Sequence, residues 1–338
     1  MPKELLEIKD LYVGFKVFSG IAKVIDGVNI NLWPSEKIGI VGETGCGKTT
    51  TMKAIMRILS RNSLITPESK ILFEGKNILK MNNSEIQKIR RNKIAMVFED
   101  PTSSINPVFN IGTQLKDVYR HSLSYRENNP GKKELKDDFK TKVIQILKNV
   151  YLPDPERIYQ SYPIQLSGGM IQRVCIAMAL INKKKLLIFD EPGTSLDVTI
   201  KDQIFRLITK VISEEKTSVI LISHNLGDIR HIVERVYVMY AGRIVEVAKT
   251  KEFFDNPLHP YSKELLLATP KLTGGLGKGI SGHIPDYTNP PKGCRFHPRC
   301  KYRMPICSEK RPPLFNSDDS HQVTCFLYQR KGVTINEN

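Results

Sequence analysis

The chain has 338 residues, 40% of them hydrophobic and 25% charged, with 51 Lys and Arg against 35 Asp and Glu for a formal charge of +16. That length fits one large domain or two unequal ones, and the composition excludes wholesale disorder. No apolar run approaches the roughly 20 residues of a membrane-spanning helix, and the charged start MPKELLEIKD lacks the apolar core of a secretion signal, so the chain is expected to stay in the cytosol and not to form a channel itself. The basic surplus points to an anionic partner (nucleotide, nucleic acid or the headgroups of an inner leaflet) or to a plain solvated surface.

The first 35 residues alternate apolar and polar, as in VGFKVF and VIDGVNINLW, which predicts an antiparallel edge sheet. Four short aliphatic runs, 38–41, 94–98, 186–189 and 219–222, read as buried strands. Helical stretches lie between them at 49–59, 138–149, 170–181 and 199–213. Strands separated by helices imply an α/β fold with a mainly parallel sheet covered on its faces. Residues 113–160 are polar and helix-prone, interrupted by NNPGKK at 128–133, and predict a helical insertion. Past Val247 the character changes. Residues 270–293 repeat Gly and Pro and read as a linker, and residues 284–330 hold four of the six cysteines and seven prolines.

The segment Gly42-Glu43-Thr44-Gly45-Cys46-Gly47-Lys48-Thr49 fits G-x-x-x-x-G-K-[ST] between a strand and a helix. Its glycines let successive N–H groups turn toward phosphate oxygens, and the helix start adds its positive dipole. Lys48 supplies a point charge for the β- and γ-phosphates, and the Thr49 hydroxyl a ligand for Mg²⁺. Thr50 completes the first turn of that helix. Cys46 fills a small-residue position; a lowered thiol pKa at the helix start is the sharper alternative.

The strand 186–189 ends in Asp190-Glu191. Asp190 is expected to hold Mg²⁺, directly or through water, and Glu191 to polarise the attacking water as general base. Leu166-Ser167-Gly168-Gly169-Met170 opens the helix before that strand, with Ser167 standing 23 residues ahead of Asp190. It is a second anion-binding helix start, which one chain does not need for one triphosphate. Two copies facing head-to-tail do need it.

These motifs resemble those of the ATP-binding cassette (ABC) family through residues 1–250. The resemblance extends to a D-loop-like Ser195-Leu196-Asp197 and to Leu221-Ile222-Ser223-His224, where it implies an imidazole on the γ-phosphate. It places the adenine-stacking aromatic near Phe15, with Tyr12 and Phe18 as alternatives and edge-sheet packing as the plainer reading. One position departs from the family: Met96-Val97-Phe98-Glu99-Asp100-Pro101 has Glu99 where a Gln is usual. Glu99 still offers Mg²⁺ an oxygen but adds negative charge near the triphosphate. Residues 100–107 (DPTSSINP), the SGGM ending, VMYAGRIVE at 238–246 and NPLHPYSKELL at 256–266 are similar to the oligopeptide/dipeptide importer ATPases. With the His259-Pro260-Tyr261 segment and the cysteine tail, the resemblance then covers nearly the whole chain.

Cys294, Cys300, Cys307 and Cys325 are separated by five, six and seventeen residues. The segment around them is short of core, and a small segment of this kind needs a staple. A cytosolic setting disfavours disulfides. Zinc ligands usually come in short C-x₂₋₄-C pairs, absent here, whereas wide spacing suits an iron–sulfur cluster; zinc and free thiols remain the alternatives. Related peptide-importer ATPases carry a 4Fe-4S cluster at such a tail, and the resemblance implies one here. His297 and His321 are expected behind the ligands or at the surface.

The resemblance thus implies an ABC-type nucleotide-binding domain at 1–250, with a P-loop sheet core, an antiparallel edge sheet and a helical subdomain at 113–185 that includes the signature. A C-terminal extension at 251–338 carries the Cys-rich segment 284–330. The implied activity is ATP hydrolysis driving peptide import at the cytoplasmic face of the membrane. The implied partners are a second ATPase chain, two transmembrane permease subunits and, indirectly, an extracytoplasmic peptide-binding protein, with no nucleic acid. The alternative is an ABC-type ATPase acting on DNA with a zinc Cys₄ site, which a single cassette without sustained heptads disfavours.

Overall fold

The computed structural model describes residues 3–121, 136–194, 197–268, 279–318 and 320–329. They pack as two compact units, Met1–Lys80 with Leu221–Asn338 and Met81–Ile220. The expected 250/251 boundary falls inside the first unit.

The first unit opens with a hairpin of β1 (Leu6–Val17) and β2 (Gly20–Leu32), as the alternation predicts. The buried residues of β1 begin on even positions, Leu6 and Ile8, and continue on odd ones, Leu11 and Val13. Such a change of parity would turn half the set to solvent. A register shift between Ile8 and Leu11 absorbs it. There Asp10 adopts a left-handed φ of 45°, donates its N–H to Asn29 Oδ1 at 3.0 Å and accepts from the buried Ser69 hydroxyl. After β3 (Lys37–Val41), α1 (Lys48–Ile55) stops four residues short of its predicted end because Arg57 turns left-handed, at φ 49°. The strands β4 (Ser63–Ile65) and β5 (Lys70–Phe73) pair with β1, and β6 (Lys76–Asn77) pairs with β5.

In the second unit α2 (Asn83–Asn92) starts on a capping box between Asn82 and Glu85. β7 (Ile94–Val97) then lies parallel to β8 (Leu186–Asp190), with Ile94 opposite Leu186 and Val97 opposite Phe189. Between them the described chain is helical: α3 (Ile111–Arg120), α4 (Lys136–Asn149), α5 (Pro155–Gln160) and α6 (Gly168–Leu180). Phe139, Val143 and Leu147, each four residues apart, form the buried stripe of α4. The NNPGKK interruption at 128–133 lies outside the described residues. α7 (Val198–Glu215) leads to β9 (Ser218–Ile222), all five of whose residues are buried and within which the division between units falls.

The first unit resumes with α8 (Leu226–Ile232), β10 (Arg235–Tyr240), β11 (Arg243–Lys249), α9 (Thr250–Asp255) and α10 (Pro260–Ala268). The tail adds α11 (Ile306–Glu309), β12 (Phe315–Asp318) and β13 (His321–Val323). In this unit β3, β10, β11, β13 and β12 lie side by side in that order. Only β3 and β10 are parallel; the others are antiparallel. The reversal comes at Ala241-Gly242, where both residues have positive φ, 44° and 80°, as a two-residue hairpin turn requires. β11 is thereby left with a free edge, and the tail covers it. Each large apolar side chain buried along β10 contributes about 1.5–3 kcal/mol. Among the described residues no helix is long and apolar enough to cross a membrane.

The tail is fastened to β11 by one buried carboxylate. Glu246, 1% exposed, accepts from the backbone N–H groups of Leu258 at 2.8 Å and His259 at 2.7 Å, and lies 2.7 Å from His321 Nε2. Burial pushes its carboxyl pKa up, but the His321 ring and the two amides outweigh this and hold it below the ordinary value of 4.5. A depressed folded-state pKa means stability that is present above that value and lost as pH falls through the lower one. Glu246→Gln should therefore cost about 2–4 kcal/mol at pH 7 by urea unfolding. The gap to the parent should narrow below pH 4.5; an equal gap at pH 7 and pH 4 would show that the ionised carboxylate is not what matters.

Candidate functional site

The phosphate loop runs from the end of β3 to α1, and its shape is one that only glycine supports at two positions. Gly42 has φ +153°, and a Cβ there would meet Met239 O at 2.1 Å; Gly47 has φ +108°, and a Cβ would meet Ile25 Cδ1 at 2.6 Å. The loop's floor is the β10–β11 turn, whose Gly242 N–H donates to Cys46 O at 2.8 Å. Thr44 and Gly45 are exposed above it, and Thr49 and Thr50 are half-buried in the first turn of α1. Lys48 is 4% exposed and curls back over the loop, donating to Gly42 O at 2.8 Å and Glu43 O at 3.1 Å. Cys46 is fully buried. Burial pushes its thiol pKa up against the lowering pull of Lys48, so the helix start does not make it a ready thiolate.

Two further candidates belong to the same unit. His224 is exposed just beyond β9, on a turn held by the buried Ser223, whose hydroxyl accepts from Asn225 N–H at 3.0 Å and donates to Asp228 Oδ2 at 3.2 Å. Asn225 caps α8 through Gly227 N–H. Phe15 is half-buried in β1, opposite Ala22 and Ser63; Tyr12 is half-buried as well, while Phe18 stands fully exposed at the hairpin turn.

In the second unit Asp190 ends β8 and is 1% exposed. Glu191 takes a left-handed φ of 49°, which turns its side chain off the strand, and accepts from the Thr194 hydroxyl at 3.1 Å. Ser167 caps α6 by accepting from Met170 N–H at 3.3 Å, and Ser167 and Gly168 are exposed, so the helix start is open to an anion. Two buried residues of α6 anchor it: Gln172 donates to Pro192 O at 3.0 Å, just past Glu191, and Cys175 Sγ lies 3.6 Å from Pro101 O. Burial pushes the Cys175 thiol up to about 12. Glu99 is exposed two residues past β7. Asp197 caps α7, accepting from Ile200 N–H at 3.0 Å, and its neighbours Ser195 and Leu196 lie outside the described residues.

The four tail cysteines are unpaired with one another, and all four line one small, partly open pocket, beside Phe296, Phe326 and His297. Cys294 N–H donates to Cys307 O at 2.8 Å, and Gly293 lets the two segments approach, since a Cβ there would sit 2.2 Å from that carbonyl. Burial, with the neighbouring thiols adding to it, pushes Cys294 up to about 11 and Cys325 up to about 12. Among the described residues no three His, Cys, Asp or Glu side chains are close enough together to hold a metal ion. His321 is neither at the surface nor on the cavity, but buried against Glu246.

The sequence also reads 270–293 as a linker. Residues 269–278 lie outside the described residues, but 279–293 are tethered by hydrogen bonds: Ile280 O and Ser281 O accept from Arg299, and Tyr287 O accepts from Lys23 N–H. Three side chains to which the sequence assigned no role at the site reach the phosphate loop: Tyr261, Tyr287 and Arg299. The one visible trace was the His259-Pro260-Tyr261 segment. Burial lowers the His259 pKa to about 4, and its neutral ring accepts from Tyr261 N–H at 3.0 Å, fixing the start of α10.

The ABC transporter family matches residues 25–194, and the family of oligopeptide/dipeptide transporter C-terminal regions matches residues 245–307. An oligopeptide transport ATP-binding protein of Bacillus subtilis is 41% identical over 327 residues, 96% of this chain and 88% of that protein. A dipeptide transport ATP-binding protein of the same organism is 39% identical over 97% of this chain and 96% of its own length. Among solved structures, an ATP-binding cassette captured as a dimer with ADP and Pi after hydrolysis has a TM-score of 0.63 at 24% identity, covering 72% of this chain and 98% of that one. A P-loop closed by α1, a capped Ser-Gly-Gly helix start and these likenesses agree: the chain has the ABC ATPase fold and belongs to the ABC transporter family, with the C-terminal region of its oligopeptide/dipeptide transporters.

Proposed function

We propose that the chain is the ATP-hydrolysing subunit of an importer of dipeptides or oligopeptides, converting ATP and water to ADP and phosphate. The observation that carries this is that the matches to peptide-transport ATP-binding proteins, at 39–41% identity, cover 96–97% of the chain. The DNA-acting alternative gains nothing, because these relatives are transport proteins.

The residue roles follow from the chemistry of each group. The amides of loop 42–47 and the Lys48 ammonium bind the triphosphate, Phe15 stacks on the base, and His224 meets the γ-phosphate. Thr49, Asp190 and Glu99 are hard oxygen donors, a set that fits Mg²⁺, which supplies charge neutralisation on the phosphates. As water attacks the γ-phosphorus, Glu191 takes its proton and the bond to the bridging oxygen breaks, releasing ADP. Ser167, Gly168, Gly169 and Met170 serve the nucleotide of a second cassette chain, and Asp197 lies on the same dimer face. Two permease subunits and, through them, an extracytoplasmic binding protein complete the importer. The chain sits peripherally at the cytoplasmic face, where its +16 charge suits an anionic leaflet. In this reading residues 1–250 do the nucleotide chemistry and 251–338 form the extension.

For the tail the proposal is a 4Fe-4S cluster held by Cys294, Cys300, Cys307 and Cys325, with zinc as the alternative. Four soft thiols around one pocket fit such a group, and cations there would offset the burial that raises the pKa of Cys294, Cys300 and Cys325. The cluster would supply a staple for a segment short of core.

Glu191→Gln should retain ATP binding and lose at least about 100-fold in turnover, whereas Lys48→Ala should weaken binding itself. Hydrolysis by Glu191→Gln at the parent rate would remove Glu191 from the base role. Protein purified without oxygen should be brown and contain iron and acid-labile sulfide, and serine at any one of the four cysteines should bleach it. One tightly bound zinc in colourless protein from iron-sparing conditions would decide for the alternative.

A further inference from the structure

We propose that Arg299, with Tyr287 and Tyr261, positions the phosphate loop, so that the cysteine segment sets the affinity for ATP rather than standing apart from the nucleotide site. This rests on the P-loop reading above and extends it to residues more than two hundred positions away.

The loop carries a carboxylate, Glu43, one residue after its first glycine. An unpaired negative charge there would repel a triphosphate. Arg299 meets it with a two-pronged fork, Nη1 to Oε2 at 2.7 Å and Nη2 to Oε1 at 2.9 Å. The Arg299 side chain is 4% exposed and the Glu43 side chain 28%, so water screens this pair poorly. The guanidinium is itself fixed, donating from Nε to Ser281 O at 2.8 Å and from Nη2 to Ile280 O at 3.0 Å, above the ring of Tyr240. Two tyrosines hold the loop backbone. Tyr287 donates its hydroxyl to Gly45 O at 2.7 Å, and Glu43 N–H donates to Tyr261 Oη at 2.8 Å. Gly45, at φ +83° with open space around its Cβ position, has nothing else crowding it into shape.

The fork is placed by the cysteines. Arg299 lies on the short loop between Cys294 and Cys300, which is wound by three backbone bonds: His297 N–H to Cys294 O at 3.1 Å, Arg299 N–H to Phe296 O at 3.0 Å and Cys300 N–H to His297 O at 3.2 Å. Both ends of that loop face the cysteine cavity. A change at the thiols therefore moves the residue that neutralises and pins Glu43.

The test uses the purified full-length chain, with Mg²⁺-ATP affinity measured by calorimetry and thermal unfolding followed in parallel. Arg299→Ala should weaken ATP about tenfold and Tyr287→Phe about threefold. Adding Glu43→Gln to Arg299→Ala should recover at least threefold, because it removes the charge left uncompensated. Parent-like affinity in Arg299→Ala, while Lys48→Ala is weak, would overturn the clamp and leave the P-loop reading intact; no loss in Lys48→Ala would overturn the P-loop reading itself. A loss in Arg299→Ala with a lowered melting temperature and no recovery by Glu43→Gln would also overturn it, as general destabilisation. Should Arg299→Ala not fold, Arg299→Lys decides: it keeps the charge without the fork, so a partial loss supports the clamp and full affinity refutes it.

Discussion

A phosphate-binding loop has to turn several backbone amides toward one point and leave that point empty of side chains. Glycine makes the turn possible and, for the same reason, gives the loop no side chains with which to hold it. Everything around residues 42–47 answers that deficit. The β10–β11 turn bonds Cys46 O from beneath, β3 and α1 fix the two ends, and the Met239 carbonyl and the Ile25 side chain fill the places where side chains on Gly42 and Gly47 would have been.

The tail belongs to this solution because of how the first unit's sheet ends. The antiparallel return of β11 leaves an edge, β13 takes it, and Glu246 locks β13 and the start of α10 to the same strand. Once α10 is fixed, Tyr261 points its hydroxyl at Glu43 N–H. The Phe296, Tyr240 and Tyr261 rings pack edge to face or tilted at 4.6–5.4 Å, so the segment carrying Cys294 and Cys300 is seated against the floor of the nucleotide loop. The buried carboxylate and the ring cluster thus act at the base of one structure, and the motif residues at its top.

Much of this was legible in the sequence. The four aliphatic runs appear as strands within a residue or two of their expected bounds, because a strand buried on both faces is an unbroken apolar run. Helix α1 follows its glycine loop, and Ser167 caps α6 as its position before Gly-Gly suggests. What was hidden came from pairings that no local pattern encodes. The β1 bulge reverses which parity is buried. Ala241-Gly242 turns what the alternation of strands and helices presents as a parallel sheet into a mixed one. Arg299 and Glu43 are 256 positions apart, and the Gly- and Pro-rich stretch before Arg299 looks like a linker because its contacts use backbone carbonyls, which composition does not register.

The distance along the chain between the loop and its clamp has a consequence in time. Synthesis runs from the N-terminus at roughly 5–20 residues per second, so the 256 residues from Glu43 to Arg299 take on the order of tens of seconds to emerge. Through that interval the nascent chain displays a glycine loop whose carboxylate has no guanidinium beside it and whose Gly45 carbonyl has no tyrosine. Under the proposed clamp the loop matures only when the segment carrying Tyr287 and Arg299 has left the ribosome. A prematurely terminated subunit would then be a poor competitor for nucleotide, a form of quality control written into the order of the sequence.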